Sequence, residues 1–240
     1  MPQTPRKYCR EFISRKQWGF SLLELMAVLA ILSIVMAVVM TGVSQLQRKA
    51  TNESQRVDLT QESRQFMDQI VKDLHHAGYP NARMFDAAVA AANPTYYGDG
   101  IMQLRPGYLQ FEGDVDGTGT VSEVFVQLVP ELGPCPCTLQ RGSVSKAQWL
   151  GGVGPAYYTQ VDNVMNTNIF TALHTDGTNA VMPCGPKPGT PSCADGNSID
   201  FIKSVGLTLN VRSLNPDMPD KAYTTVTMSS DAKISNLKPN

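Results

Sequence analysis

The chain has 240 residues, a formal net charge of −1 and 42% hydrophobic residues. Residues 1–19 carry five basic residues and one acidic residue, a net of +4, which leaves 15 basic and 20 acidic residues, a net of −5, in the remainder. An acidic remainder without a basic, aromatic-rich patch is a poor partner for nucleic-acid phosphates, so we predict no direct nucleic-acid binding. The basic flank predicts that the amino terminus stays in the cytoplasm if a membrane span follows.

The run from Gly19 to Val43 is the most informative stretch of the sequence. From Leu25 to Val43 it contains no charged residue and no proline. Counted from Phe20 it has 24 residues, about 36 Å of helix, and the hydrocarbon core of a bilayer is about 30 Å thick. The run exceeds the about 7–15 apolar residues of a removable secretory signal, and no small-x-small cleavage site follows it. We therefore expect the mature protein to keep this span.

Glu24 is unusual because it lies one turn inside the apolar run. A carboxylate near a bilayer centre costs about 2.5–3.5 kcal/mol on insertion scales, which indicates a function and a cationic partner. Cleavage between Gly19 and Phe20 would create such a partner, because the new α-amine at Phe20 would be mostly charged at neutral pH.

The string Gly-Phe-Ser-Leu-Leu-Glu-Leu-Met at residues 19–26, after a short basic leader, resembles the class III signal of type IV prepilins and type II secretion pseudopilins. The resemblance implies that a prepilin peptidase cuts after Gly19 and methylates Phe20. It also implies that Glu24 pairs with the terminal amine of a neighbouring subunit during assembly. The alternative is an ordinary signal anchor. Many major pilins have a proline that kinks this helix, whereas none occurs here between Pro5 and Pro80, which favours a minor component.

Beyond Val43 the pattern becomes amphipathic without interruption until Gly78 and Pro80. This pattern predicts one helix over residues 20–77, ending with glycine just past its last turn. The string Asp-Leu-His-His-Ala-Gly-Tyr at residues 73–79 resembles the end of this helix in PilW-type minor pilins and in J-type pseudopilins. His75 and His76 are adjacent and would point about 100° apart, so we interpret them as favourable charges near a helix C-terminus and not as a metal site.

Residues 81–100 are loop-like, with an alanine-rich piece at 87–92 that favours a helical turn. The apolar period becomes two from residue 101 onward, which predicts strands at 108–112, 122–129, 138–141, 199–211 (with a break at Gly206) and 223–228. We predict an α+β, type IV pilin-like fold, in which a long amino-terminal helix packs on a mainly antiparallel sheet. The predicted divisions are a leader (1–19), a transmembrane half-helix (20–43), an amphipathic half-helix (44–78) and a globular head (79–240).

Four cysteines, Cys135, Cys137, Cys184 and Cys193, lie beyond the span, and Cys9 lies in the leader. Outside the cytoplasm such cysteines form disulfides, and four of them allow three connectivities. A local Cys184–Cys193 bridge fits the Pro/Gly-rich loop between them. A zinc site is the alternative, although Cys-Pro-Cys lacks the usual ligand spacing.

Asp114 and Asp116 lie in a glycine-rich segment that resembles the start of a calcium loop. The bidentate Glu of an EF-hand is missing, because Phe125 stands at the twelfth position and Glu123 falls two residues short. The alternatives are therefore a looser calcium site and an ordinary hairpin turn. The Asp-Gly turn at 176–177, within residues 170–177, is interpreted as structural. We predict no other cofactor.

The resemblance thus implies a minor type IV pilin of the PilW type. No catalytic motif is present, so we predict that the head is non-catalytic. Its expected partners are the prepilin peptidase, other minor and major pilins through the helix, the inner membrane and the pilus assembly platform. We expect a single-pass inner-membrane protein with a periplasmic head that enters a pilus or pseudopilus. The alternatives are a J-type pseudopilin of type II secretion and a membrane-tethered periplasmic binding or enzymatic domain.

Overall fold

A computed structural model of the protein describes residues 19, 21–131, 133–187, 192–214, 216 and 223–235. The predicted leader, except Gly19, and Phe20 lie outside these described residues. The chain divides into two compact units, Met1–Lys49 and Ala50–Asn240.

The long helix predicted from the apolar pattern is present as α1, Leu22–His75, with 54 residues. It begins where the Ser21 carbonyl accepts hydrogen bonds from the Glu24 and Leu25 backbone N–H groups, at 2.9 and 3.1 Å. After it ends, Gly78 has φ +76°, a left-handed conformation that glycine adopts without steric cost. The predicted bounds differ from the observed ones by two residues at each end, within the usual uncertainty of helix termini.

The second unit contains an eight-stranded sheet. The strands are β1 (Gly100–Arg105), β2 (Tyr108–Gly113), β3 (Ser122–Val129), β4 (Cys137–Ser145), β5 (Ala156–Val164), β6 (Phe170–His174), β7 (Ile202–Arg212) and β8 (Thr225–Lys233). Their order in the sheet is β1-β2-β3-β4-β5-β7-β6, and β8 pairs with β7. Every pairing is antiparallel. A short helix, α2 (Ala87–Ala92), precedes β1, and another, α3 (Lys146–Leu150), lies between β4 and β5.

The carboxy-terminal part of α1 supplies one side of the hydrophobic core. Its buried side chains recur at helical spacing, whereas the side chains that β2, β3 and β4 contribute to this core lie at every second position, as the two periods require. Full burial of a side chain such as Ile70 or Leu74 stabilises the fold by about 1.5–3 kcal/mol. The core includes Phe66, Met67, Ile70 and Leu74 of α1 and Leu109, Phe111, Val124, Val126 and Leu139 of the sheet.

A close backbone approach joins the end of α1 to the end of β2. The Gly78 N–H donates to the Glu112 carbonyl at 2.8 Å, and Ala77 forms a bridge with Gly113. A Cβ at Gly113 would lie 2.3 Å from the His76 carbonyl oxygen, closer than van der Waals packing permits. Glycine at position 113 therefore lets α1 end against the sheet.

An ion pair also ties α1 to the sheet. The Arg141 guanidinium on β4 donates two hydrogen bonds to Asp73 Oδ2, at 2.8 and 3.0 Å. Burial raises the pKa of the Asp73 carboxyl, and the charge of Arg141 opposes that rise. In the sequence, Asp73 was singled out only as part of the run 73–79 that resembles PilW-type pilins. Its ion pair with Arg141 could not be predicted from the sequence.

Some predicted strands need correction. β4 continues to Ser145, beyond the predicted end at residue 141, and β7 passes Gly206 without the expected break because Gly206 pairs with both Thr171 and Asp231. Residues 199–201 form a 3-10 turn before β7. The strands β1, β5 and β6 were not predicted, and the turn at Asp176–Gly177 directly follows β6.

Candidate processing and assembly site

The first half of α1 exposes an apolar surface that nothing else in the described chain covers. Every residue from 21 to 51 is exposed, and the helix is long and apolar enough to cross a membrane. An apolar surface of this size is rarely left in water, so lipid or other apolar helices are its natural surroundings. The large exposed side chains are Leu22, Leu23, Leu25, Met26, Val28, Leu29, Ile31, Leu32, Ile34, Val35, Met36, Val38, Val39, Met40 and Val43.

Glu24 lies in the first turn of this apolar helix. The free N–H groups at a helix N-terminus favour a carboxylate, by about 0.3–1 kcal/mol at exposed positions. That contribution is smaller than the cost of a charge in hydrocarbon. Among the described residues no ion pair involves Glu24, so a neutralising cation would come from the segment before Ser21 or from another molecule.

Among the described residues nothing gives a steric reason for glycine at position 19. A Cβ built there would meet none of their atoms within 4 Å. Gly113 shows the contrasting case, in which the surrounding backbone excludes a side chain. A requirement for Gly19 would therefore come from an external partner that approaches the backbone closely, such as a peptidase. Phe20 lies outside the described residues.

The four cysteines beyond the apolar run form two disulfides, including the expected Cys184–Cys193 bridge. Cys184 is joined to Cys193, and Cys135 is joined to Cys137. This connectivity is one of the three that the sequence allowed. Because each of the four sulfurs is bonded to another sulfur, none is available as a thiolate ligand for zinc.

His174 and Asp195 lie beside the Cys184–Cys193 bridge. His174 Nε2 is 3.0 Å from Asp195 Oδ2, and Cys193 Sγ lies within 4.8 Å of both groups. The pKa of Asp195 is lowered to about 2, mostly by the hydrogen bond from the backbone N–H of Asn197 and, to a smaller extent, by the hydrogen bond with His174. Since the sulfur is in a disulfide, this group offers a metal only two ligands, and its evident role is to fix the loop that carries Cys193.

A buried charge cluster lies between β2, β3 and the start of α3. Lys146 Nζ is 2.6 Å from Glu112 Oε2 and 3.3 Å from Asp99 Oδ2, and it donates to the Tyr97 carbonyl. Glu123 accepts a hydrogen bond from Gln110 at 2.6 Å. Lys146 has an acceptor for each of its three protons, so it holds these segments together as an ammonium ion. This cluster could not be predicted from a local pattern, because Lys146 and Glu112 are 34 residues apart.

The two aspartates of the glycine-rich segment lie in the connection between β2 and β3. Asp114 is buried, and Asp116 is exposed. Glu123, which an EF-hand comparison would place near the end of the loop, is buried in β3 and bonded to Gln110, so it does not belong to this site.

Residues 14–40 match the family model described as the prokaryotic N-terminal methylation motif. This match indicates the class of type IV pilins and pseudopilins. No curated protein and no solved structure matches the chain. The motif includes Gly19, Phe20, Glu24 and most of the exposed apolar surface.

Proposed function

We propose that the protein is a minor type IV pilin of the PilW type, processed by a prepilin peptidase and assembled through α1. The observation that carries the proposal is the exposed apolar run of α1 from Leu25 to Val43, directly preceded by one carboxylate, Glu24, in the first turn. The methylation motif over residues 14–40 supports it. Such a surface serves both states of a pilin, since lipid covers it before assembly and neighbouring helices cover it afterwards.

Membrane insertion, cleavage and assembly each depend on particular residues of this chain. The basic leader holds the amino terminus in the cytoplasm, and the apolar helix anchors the protein in the inner membrane with its head in the periplasm. Cleavage after Gly19 frees the amine of Phe20, which is then methylated. Glu24 pairs with the amine of a neighbouring subunit, and this pairing selects the stagger between the two helices.

The absence of a proline between Pro5 and Pro80 and the run Asp73–Tyr79 favour a minor, PilW-type subunit. A J-type pseudopilin of type II secretion is the second candidate, because the motif at residues 14–40 is common to both systems. The genes that flank this one distinguish the two, since pilus genes and secretion genes occur in different clusters.

The test replaces Glu24 with alanine in the native host. Because the carboxylate is a penalty in lipid and an advantage only in the assembled state, membrane insertion and cleavage should stay at the wild-type level. Incorporation into sheared filaments, or co-purification with other pilins, should fall by roughly tenfold or more, as loss of an ion pair worth over about 1.4 kcal/mol requires. Glu24→Asp should give an intermediate yield because its carboxylate is one methylene shorter.

The matched control is Glu53→Ala, which removes an exposed glutamate from the same helix outside the apolar segment. It should leave both cleavage and incorporation unchanged. Wild-type incorporation of Glu24→Ala would refute the assembly role and would favour a tethered periplasmic binding or enzymatic domain, for which α1 is only an anchor.

A further inference from the structure

The connection between β2 and β3 contains a buried carboxylate oxygen that lacks a donor. Asp114 is 4% exposed, and its backbone N–H donates to the Tyr79 carbonyl at 2.8 Å. One carboxylate oxygen, Oδ2, accepts from the Gly119 N–H at 2.9 Å. The other, Oδ1, is buried without a hydrogen-bond partner in the described part of the chain. An ionised carboxylate buried in this way is costly unless a cation or a proton satisfies it.

Asp116 brings a second carboxylate to the same place. Its Oδ1 accepts from the Thr118 N–H at 3.0 Å and from the Thr118 hydroxyl at 2.8 Å. The side chains of Asp114 and Asp116 are close enough to interact, so two acidic groups face each other in this connection. None of the ion pairs among the described residues supplies a cation to either aspartate.

The protein has a second Asp-Gly-Thr turn, at residues 176–178, which can be compared with the one at residues 116–118. Asp176 Oδ1 accepts from the Thr178 N–H at 2.9 Å and from the Thr178 hydroxyl at 2.7 Å, as Asp116 does from Thr118. That turn forms without a second carboxylate. The β2–β3 connection thus differs from the other turn in having Asp114. The hydrogen bonds of the turn do not involve the buried Oδ1 of this residue.

We propose that Asp114 and Asp116 bind a calcium ion, which satisfies Asp114 Oδ1 and neutralises the two facing carboxylates. Ca²⁺ accepts six to eight oxygen ligands in flexible geometry, so carbonyl oxygens of the glycine-rich segment and water can complete its shell. Mg²⁺ demands a stricter octahedron and is bound by proteins mostly together with phosphate groups. With only two carboxylates, the expected Kd lies in the range of extracellular modules, about 10⁻⁴–10⁻³ M.

The ion would also stabilise the junction between α1 and the sheet. Asp114 follows Gly113 directly, and its N–H bonds to Tyr79, which lies just beyond the end of α1. Calcium that binds the folded protein and not the unfolded chain raises the melting temperature, by about 3–5 °C at a calcium concentration ten times the Kd.

The experiment is calorimetric titration of CaCl₂ into the full-length protein, purified in a non-ionic detergent and freed of calcium with EGTA. Thermal unfolding with and without 10 mM CaCl₂ (roughly ten times the Kd at the weak end of that range) gives a second readout. Asp116→Asn, at an exposed position, should fold normally and weaken binding at least about tenfold, since it removes one of two charged ligands. Asp114→Asn should do the same.

Asp176→Asn is the matched control, because it changes the same residue type in the same kind of turn. It should leave the binding heat and the calcium-dependent rise in melting temperature unchanged. The proposal is overturned if the wild-type protein shows neither effect, if Asp116→Asn retains both, or if Asp176→Asn loses them equally. An equal response to MgCl₂ would overturn the assignment to calcium. Binding in these assays does not depend on cleavage after Gly19, so this test and that of the proposed function fail independently.

Discussion

Glu112 and Glu123 lie directly opposite each other on β2 and β3, and both are buried. Two facing carboxylates cannot both ionise cheaply in such a place. Lys146 pairs with Glu112, so Glu123 is the one that retains a proton. Burial, followed by the charge of Glu112, raises the pKa of Glu123 to about 8.

This raised pKa predicts a stability that depends on pH. The folded state keeps the Glu123 proton up to about pH 8, whereas the unfolded chain loses it near 4.5. Between these values the folded state binds more protons, so the free energy of unfolding should fall as the pH rises. Glu123→Gln mimics the protonated form and should flatten this fall, as measured by melting temperatures from pH 5 to pH 8. The exposed control Glu53→Gln should keep the wild-type slope, and an unchanged slope in Glu123→Gln would contradict the assignment of the proton.

Among the elements of the fold, the carboxy-terminal part of α1 is held to the sheet by three kinds of contact. They are the apolar side chains of the core, the Gly78–Glu112 backbone hydrogen bond and the Asp73–Arg141 ion pair. The side chains of Asp73 and Arg141 are 6% and 15% exposed, respectively. Removing one partner of a pair buried to this extent leaves the other charge uncompensated.

Arg141→Ala should therefore destabilise the protein by about 3–5 kcal/mol. The melting temperature should fall by roughly 6–20 °C. Arg105→Ala is the matched control, because Arg105 pairs with Glu131 at 3.1 Å but both side chains are more exposed, at 36% and 28%. That exposed pair should contribute about 1 kcal/mol or less. Equal losses of stability in the two variants would show that the Asp73–Arg141 ion pair stabilises the fold no more than the Arg105–Glu131 pair does.

For the whole molecule, the sequence predicted best what depends on local pattern. The apolar run and the later amphipathic period predicted α1, and Gly78 predicted its end. The bounds of β3 agreed with the prediction because it is a short run rich in valine and other apolar residues, and turn residues flank it. In contrast, β5 has an exposed first half, and β6 has only five residues, FTALH, in which apolar and polar types do not alternate although buried and exposed positions do. Neither sequence therefore shows a clear period of two.

The candidate sites, like the helices and strands, include some that a local sequence pattern predicts and others that it does not. Gly19, Phe20 and Glu24 lie within one short stretch of sequence, so they could be proposed from local sequence alone, and their roles stay predictions. The Asp73–Arg141 pair and the Glu112–Lys146 pair join residues 68 and 34 positions apart. Such contacts depend on strand order and register, which no local pattern encodes.

The central claim is that this chain is a prepilin that is cut after Gly19 and methylated on Phe20. The intact mass of the protein extracted from the native membrane tests it most directly. We predict the mass of residues 20–240 with two disulfides and one additional methyl group, and full-length precursor for Gly19→Val, whose side chain would obstruct a peptidase. Gly42→Val changes another glycine of the same segment with open space around it and should be cut normally. A wild-type protein that retains residues 1–19, or Gly19→Val protein that is cut at the wild-type level, would contradict the account.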